Sequence, residues 1–237
     1  MVSSEHNHQE AAQQDLIFLF DVDNTLLDND SVLREWHAHI EQKIGPENAK
    51  RYWDIHNELR DSLGYVDYLG ALQRFRLERL DAPAVLWLST YLLNYPLSKH
   101  LFNDALAVLQ HCRGFGETAI LSDGDAVLQP HKIQSTGLLA AVEGRVLIYV
   151  HKERMLDEMQ QHFPARHYVM VDDKPNILAA MKQVLGSRLT TVFPQQGHYA
   201  LDPANVSAYP NADITVANIG DLLQYDKAAF LNAAQTQ

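Results

Sequence analysis

The stretch LIFLFDVDNTLLDND, residues 16–30, decides how the rest of the chain is interpreted. Five apolar residues, 16–20, are followed at once by Asp21 and, two positions later, by Asp23. An apolar run without alternation is typical of a strand that is buried on both faces of a parallel sheet. The stretch therefore predicts a buried strand that ends in two carboxylates, and two charges in that place need a chemical reason.

Five more short apolar runs follow, and from residue 118 onward the segments between them have helical periodicity. Strands and helices in regular alternation predict the α/β class, with a parallel sheet covered by helices on both faces. The runs are TAILS (118–122), RVLIYV (145–150), YVMVDD (168–173), LTTVF (189–193) and DITVAN (213–218).

The interval 29–99 departs from this alternation, because its periodicity is helical throughout. Gly45-Pro46, Gly64 and Asp81-Ala82-Pro83 fall where helices would turn or begin. The interval also holds all three tryptophans of the chain, so it has the aromatic side chains for a core of its own. We expect a cap domain of about four helices at 29–99, inserted into a core domain of residues 15–28 and 100–237.

Composition and charge narrow the function classes. The chain has 237 residues, a formal net charge of −11 and one cysteine, Cys112. An acidic surface repels nucleic acid and anionic membranes, so neither is expected as a partner. One cysteine permits no internal disulfide, and residues 1–14 lack the basic and apolar regions of a signal peptide. We expect a cytoplasmic protein with a disordered leader at 1–14, in which Cys112 is a packing residue.

Acidic side chains follow two of the predicted strands, and a hydroxyl group follows a third. Asp21 and Asp23 come after the first strand, Ser122 ends TAILS, and Asp172 and Asp173 end YVMVDD. Because ligands bind beyond the carboxyl ends of parallel strands, these side chains are expected at one rim of the sheet. Crowded carboxylates need either raised pKa values or a cation, and Mg²⁺ prefers such oxygen ligands. The candidate metal ligands are Asp21, Asp23, Asp172 and Asp173.

Lys152 adds positive charge at the same rim, because it follows the predicted strand RVLIYV. An ionised Asp21 beside Mg²⁺ is able to attack phosphorus and form an aspartyl-phosphate. Asp23 is placed to protonate the leaving group and then to activate water. Ser122 and Lys152 are expected to hold the phosphoryl oxygens. The pattern therefore predicts phosphoryl chemistry.

Four motifs in this order resemble those of the haloacid dehalogenase-like (HAD) superfamily, over roughly residues 16–195. FLFDVDNTL resembles its first motif and AILSDGD its second, Lys152 matches its third, and YVMVDDKPN is similar to its fourth. The resemblance implies a Rossmann-like three-layer core and a helical cap of the C1 type that closes over the substrate. It also implies a phosphatase-type hydrolase.

The resemblance further implies a role for each motif residue. Asp21 is implied as nucleophile, Asp23 as general acid and base, and Thr25 as a support for the turn among the phosphate-binding residues. Ser122 and Lys152 are implied as phosphate ligands. Mg²⁺ is implied to be held by Asp21, Asp172 and a backbone carbonyl of residue 22 or 23.

Some assignments stay open in the sequence. Either Asp173 or Asn176 completes the metal site. Lys132 is a rival to Lys152 for the third motif, although it lies mid-helix and away from a strand end. Asp123 is counted with the phosphate-binding residues, but Asp123 and Asp125 also suit a turn and a helix N-cap.

Specificity is expected to lie in the cap. Its candidates for contact with an anionic substrate, among which the sequence gives no preference, are Arg34, His37, Arg60 and Arg74. His198 lies in a loop for which a structural role is expected.

The leading hypothesis is a Mg²⁺-dependent phosphohydrolase that acts on a small phosphorylated metabolite. A phosphomutase or another phosphotransferase of this superfamily shares every motif and is the alternative. Dehalogenation ranks low, because displacement of a halide has no need of an acid at Asp23. A receiver-like signalling domain and a non-catalytic binding protein rank lower still. The oligomeric state stays open.

Overall fold

Six parallel strands form one sheet in the part of the chain that the computed structural model describes, residues 14–79 and 81–234. The order of the strands across the sheet is β3-β2-β1-β4-β5-β6. They are β1 (Gln14–Phe20), β2 (Glu117–Asp123), β3 (Val146–Tyr149), β4 (Ala165–Val171), β5 (Leu189–Pro194) and β6 (Ile214–Val216). Each predicted strand is present, which confirms the α/β fold class. Residues 1–13 of the predicted leader lie outside the described part, and its last residue, Gln14, pairs with Ala165 in the sheet.

β1 lies inside the sheet, because it pairs with β2 on one side and with β4 on the other. Alternate residues of β1 pack into two different cores. Leu16, Phe18 and Phe20 face one core, whereas Ile17 and Leu19 face the other. The unbroken apolar run of β1 is thus explained by burial on both faces.

Helices cover both faces of the sheet and complete three layers. One layer contains α5 (Ala105–Arg113), α6 (Leu128–Ser135), α7 (Leu138–Ala141) and α12 (Lys227–Ala233). The other contains α8 (Leu156–His162), α9 (Pro175–Leu185) and α10 (Gly197–Leu201), which α11 (Pro203–Ser207) follows. None of the helices in the described ranges has both the length and the apolar character needed to cross a bilayer.

Cys112 faces the core from the last turn of α5. Burial raises the pKa of its thiol to about 12, so the thiolate is a minor form at neutral pH. This placement agrees with a packing role.

Four helices occupy the interval between β1 and β2, as the sequence predicts. They are α1 (Asn29–Ile44), α2 (Pro46–Leu63), α3 (Tyr68–Arg76) and α4 (Ala82–Asn94). Aspartates begin three of them, because Asp28, Asp67 and Asp81 each accept a hydrogen bond from a backbone amide of the first turn. We call these four helices the cap; that they form a domain separate from the core stays a prediction.

The cap is built around aromatic side chains. Trp36 is fully buried and meets Tyr68 and Tyr95 edge to face, with ring centroids 5.0 and 5.7 Å apart. Tyr52 and Trp53 pack in the same manner at 5.0 Å. These rings belong to the same buried cluster as one face of the sheet, so the apolar core runs from the cap into the core domain.

The chain enters and leaves the cap through two paired segments. Leu27 and Leu101 form an antiparallel bridge. The Asp28 amide donates to the His100 carbonyl at 2.8 Å, and the Phe102 amide donates to the Leu26 carbonyl at 2.9 Å. The two connections therefore support each other beside the end of β1.

Replacing Trp36 with alanine tests the aromatic core of the cap. The change removes a fully buried indole, so we expect Trp36→Ala to lower the free energy of unfolding by about 3–5 kcal/mol. Urea denaturation followed by circular dichroism measures the loss. Leu86→Ala, at a side chain that is 68% exposed on α4, is the matched control and should cost less than about 0.5 kcal/mol. Equal costs for both variants would contradict the packing described above.

Candidate active site

A tight turn after β1 places the first two acids at the rim of the sheet. The Asp21 amide still donates to the Val171 carbonyl of β4 at 3.0 Å. The amides of Leu26 and Leu27 then fold back onto the Val22 carbonyl, each at 2.9 Å. Asn24 has a φ of +60°, a left-handed conformation that asparagine tolerates better than most residues. The turn thus holds Asp21 at the strand end and turns Asp23 outward.

Three buried carboxylates lie close together at this rim of the sheet. Asp21, Asp172 and Asp173 each have an oxygen within 4.8 Å of the other two, and none of the three is more than 3% exposed. Both oxygens of Asp173 and Oδ2 of Asp21 are buried without a hydrogen-bond partner. Buried anionic oxygens without donors are costly, and a divalent cation is the partner that such a group suits. The three side chains that the sequence predicts as metal ligands here do lie together.

The pKa values of this group reflect the same crowding. Burial, followed by the charges of Asp172 and Asp21, raises the pKa of Asp173 well above its usual range. Burial raises the pKa of Asp172 to about 6, against the opposing charge of Lys152. The site therefore favours either a proton or a cation.

Two lysines compensate part of the negative charge. Nζ of Lys152 is fully buried, 2.5 Å from Asp21 Oδ1 and 2.6 Å from Asp172 Oδ2. Burial alone would lower the pKa of Lys152, but Asp172 and Asp21 outweigh it and raise the pKa above its usual value. The pKa of Lys174 is raised in the same way, by Asp21 and then Asp172 against burial. With all five groups ionised, one negative charge would remain, which supports a bound cation.

Ser122 completes the contacts of Asp21. Its hydroxyl group donates to Asp21 Oδ1 at 3.2 Å, the same oxygen that Lys152 contacts. Ser122 itself accepts a hydrogen bond from the side-chain amide of Gln129 at 3.0 Å. The sequence predicts Ser122 and Lys152 at this place, but it gives no role to Gln129.

Asp23 lies apart from the three buried carboxylates. Its side chain is 28% exposed, and the ammonium group of Lys132 donates to both of its oxygens at 2.9 Å. The same ammonium group donates to Asn29 Oδ1, at the first residue of α1, at 3.1 Å. The Asp23 side chain is therefore separate from the other three predicted metal ligands, because Lys132 holds its carboxylate. A contact of residue 23 with a metal ion through its backbone carbonyl stays a prediction. Lys132 and Lys152 are not rivals for one place, because each serves a different aspartate.

Thr25 and Asp123 tie the rim loops together. The Thr25 hydroxyl oxygen accepts from the Asp173 amide at 3.1 Å, and Asp123 accepts from the Lys152 amide at 2.8 Å. Burial raises the pKa of Asp123. Thr25 is fully buried, whereas Asp123 also lies on the wall of the cleft described next. Both side chains thus have structural partners at positions where the sequence predicts phosphate contacts.

A cleft of about 340 Å³ lies between the core rim and the cap. Its described wall includes Asp23, Asp123 and Gln129, whereas the three buried carboxylates are not part of that wall. Asp23, Lys132, Lys174 and Asn176 are part of its wall on the core side. The cap contributes the end of α2 and the connection to α3, as Arg60, Gly64, Tyr65, Val66 and Tyr68.

One of the four basic cap residues predicted to contact an anionic substrate lies on the wall of the cleft. Arg60 is the one of them that lies on the described cleft wall. Arg34 donates to Ser31, Arg74 pairs with Glu58 at 3.4 Å, and His37 stacks on Trp53 with ring centroids 3.7 Å apart. The direction of a helical side chain decides this choice, and the sequence left it open.

Two further contacts join the cap to the core near the cleft. Gly64, with a φ of +81°, comes so close to His151 that a Cβ atom there would lie 3.0 Å from Nε2. His198, which the sequence places in a loop with a structural role, lies instead in the first turn of α10 and pairs through Nδ1 with Asp30 of α1 at 2.7 Å.

An asparagine at position 173 tests whether the buried carboxylates form a cation site. Asp173→Asn removes an unpartnered buried charge, so without metal its Tm should exceed that of the wild type by about 2–4 °C. Mg²⁺, used as the probe, should raise the Tm of the wild type and leave that of the variant nearly unchanged. Thermal unfolding in EDTA and in MgCl₂ measures both effects.

The pH dependence has a defined sign. The pKa of Asp173 is higher in the folded state than its unfolded value of about 4, so the metal-free wild type should lose stability relative to Asp173→Asn as pH rises from about 4. Asp157→Asn, at an exposed position of α8, is the control and should match the wild type. A lower Tm for Asp173→Asn in EDTA would contradict an unpartnered charge at this site.

Known proteins resemble this chain in sequence and in fold. The family model of haloacid dehalogenase-like hydrolases matches residues 16–184. A comparison with curated proteins returned no match. A protein of Burkholderia xenovorans LB400 assigned to the haloacid dehalogenase-like hydrolases is 57% identical, with a TM-score of 0.84; the match covers 90% of this chain and 99% of that one.

More distant structures share the fold. The L-2-haloacid dehalogenase of Xanthobacter autotrophicus, solved with chloropropionic acid covalently bound, has 16% identity and a TM-score of 0.57, over 88% of this chain and 96% of that one. The Bacillus subtilis protein YfnB, solved with magnesium, has 13% identity and a TM-score of 0.57, over 90% of this chain and all of that one (100%).

Proposed function

Because the chain belongs to the haloacid dehalogenase-like hydrolases, a family of enzymes, we propose that it is a Mg²⁺-dependent phosphohydrolase of small phosphorylated metabolites. The observation that carries this proposal is the separation of the two acids of the first motif. Asp21 belongs to the cluster of three buried carboxylates. Asp23 lies on the cleft wall, where its carboxylate pairs with the ammonium group of Lys132. This separation supports different roles for the two acids, with Asp21 as the attacking group and Asp23 as the group that transfers protons.

The chemistry of the leaving group favours a phosphate ester over an organic halide. An alkoxide is a poor leaving group unless an acid protonates it, whereas a halide leaves without a proton. An acid on the cleft wall therefore has a task in phosphoester hydrolysis and none in dehalogenation. The likeness to a dehalogenase at 16% identity concerns the fold alone.

A divalent metal ion fits the cluster of three buried carboxylates. Asp21, Asp172 and Asp173 would hold it, since Oδ2 of Asp21 and both oxygens of Asp173 are buried without a hydrogen-bond partner. When bound, Mg²⁺ supplies positive charge that neutralises phosphoryl oxygens.

The residues of the chain supply the remaining steps. The Asp21 carboxylate forms a bond to phosphorus while the bond from phosphorus to the ester oxygen breaks, and Asp23 gives its proton to that oxygen. Lys152 and Ser122, which already contact Asp21, bind oxygens of the phosphoryl group. Asp23 then takes a proton from water as the water oxygen attacks phosphorus. The bond from phosphorus to Asp21 breaks, and inorganic phosphate leaves.

Substitution of Asp21 tests the proposal. Wild-type protein with Mg²⁺ should release phosphate from at least one member of a panel of phosphorylated metabolites, and EDTA should abolish the release. Asp21→Asn should lower kcat by at least about 10⁴-fold, because the nucleophile is lost. Asp157→Asn on α8 is the control and should retain wild-type activity.

Three outcomes would overturn the assignment. Equal phosphate release by wild type and Asp21→Asn would exclude Asp21 as nucleophile. Halide release from 2-chloropropionate without phosphate release from any ester would replace the phosphohydrolase by a dehalogenase. Transfer of phosphate between positions of one sugar, with no net release, would indicate the phosphomutase alternative.

Lys132 is predicted to matter most for substrates that need an acid. Its ammonium group holds both oxygens of Asp23, so Lys132→Met should leave that carboxylate free to rotate. We expect kcat/KM to fall about 10²-fold for alkyl phosphates and less than about tenfold for p-nitrophenyl phosphate, whose leaving group needs little protonation. Lys50→Met, at a side chain that is 76% exposed, is the control. An equal loss on both kinds of substrate would count against a role through Asp23.

A further inference from the structure

Gln129 is a buried polar residue that the reaction described above does not use. It lies in the first turn of α6 and is 3% exposed. Its Nε2 donates to the hydroxyl oxygen of Ser122 at 3.0 Å. Ser122 is in turn 1% exposed and donates to Asp21 Oδ1 at 3.2 Å. A chain of hydrogen bonds thus runs from α6 to the attacking carboxylate.

The loop before α6 is shaped to admit this side chain. Asp125 starts the helix by accepting from the amides of Val127 and Leu128, at 2.8 and 2.7 Å. At Gly124 a Cβ atom would lie only 2.7 Å from Cβ and Cγ of Gln129. A glycine is therefore needed there, because the stem of Gln129 lies against the loop. The segment SDGDAVLQ is built as a unit that brings an amide to Ser122.

The direction of the hydrogen bonds follows from the proton count at Ser122. A serine hydroxyl has one proton and two lone pairs. If the oxygen of the Gln129 amide took that proton, Ser122 would turn a lone pair toward Asp21 Oδ1, and two acceptors would face each other at 3.2 Å. With the amide nitrogen as donor, both contacts are satisfied. The proton of Ser122 then points to Asp21, where the phosphoryl group arrives.

We propose that Gln129 is a positioning residue, which donates to Ser122 so that the single hydroxyl proton of Ser122 is directed at the phosphoryl group. The inference rests on the proposed phosphohydrolase function. Gln129 acts through Ser122 and need not touch the substrate. Lys132 lies three residues further along α6, on the same buried side, and holds Asp23. One helix therefore orients a group on each side of the reacting phosphorus.

A double-mutant cycle between residues 129 and 122 tests this. Gln129→Met removes the donor at similar volume and should lower kcat/KM about tenfold, mainly through kcat. Ser122→Ala should lower it about 10²-fold. Because Gln129 acts through Ser122, adding Gln129→Met to Ser122→Ala should change kcat/KM by less than about twofold.

Gln129→Glu tests the direction of the hydrogen bond between residues 129 and 122. A carboxylate at this position accepts the Ser122 proton and turns it away from the phosphoryl group, so the variant should be at least as impaired as Ser122→Ala. Gln134→Met, at an exposed position of the same helix, is the matched control and should behave as wild type. The Tm of each variant is measured beside its kinetics, so that a folding defect is recognised.

The outcomes separate this inference from the function on which it rests. No Mg²⁺-dependent phosphate release by the wild type would overturn the proposed function, and the inference with it. An active wild type in which Gln129→Met costs as much without Ser122 as with it would overturn the inference alone. So would an unimpaired Gln129→Glu. If Gln129→Met fails to fold, the Gln129→Glu comparison with Ser122→Ala decides.

Discussion

Repulsion among Asp21, Asp172 and Asp173 is the constraint on which the rest of the site depends. The three carboxylates are almost wholly removed from water, and all six strands of the described sheet are parallel, which brings such strand ends to one edge. Charges crowded in this way persist only with compensation. Lys152 supplies part of it by direct contact, and the orphaned oxygens of Asp173 show that the protein alone does not supply the rest. Stability is thus reduced locally at the place where we propose that a cation and a phosphoryl group bind, a compromise that is common in enzymes.

Asp23 and Ser122 are each held in place by a side chain of α6. Asp23 is only two residues from Asp21, yet it is separated from the buried group because Lys132 draws it toward α6. Gln129, on the same helix, does for Ser122 what Lys132 does for Asp23. Two polar side chains on a helix that otherwise packs against the sheet are expensive to bury unless both are bonded. Their hydrogen bonds to Asp23 and Ser122 explain why they are tolerated there.

The sequence predicted the fold and the inner site for a simple reason. Strands buried on both faces are unbroken apolar runs, and residues at the carboxyl ends of parallel strands share an edge, so Asp21, Ser122 and Asp172 follow from the pattern alone. Lys132 and Gln129 reach the site from the middle of a helix, and no strand end marks them. Their three-residue spacing beside Leu128 and Ile133 placed two polar residues on an apolar face, and that was the available sign. Arg60 could not be chosen among the basic residues of the cap, because its contact with the cleft depends on how the helices of the cap pack.

Asn29 of the cap and Asp23, the acid proposed to transfer protons, both accept hydrogen bonds from Lys132. Asn29 is the first residue of α1, and its side-chain oxygen accepts from the same ammonium group that holds Asp23. The paired segments at Leu27 and Leu101 lie directly beside this contact, and the apolar core continues from the cap into the sheet. A displacement of α1 relative to the core would therefore have to break or carry along the bond from Lys132 to Asn29. Because Lys132 also fixes both oxygens of Asp23, the position of the cap and the orientation of the acid are mechanically linked through one buried lysine.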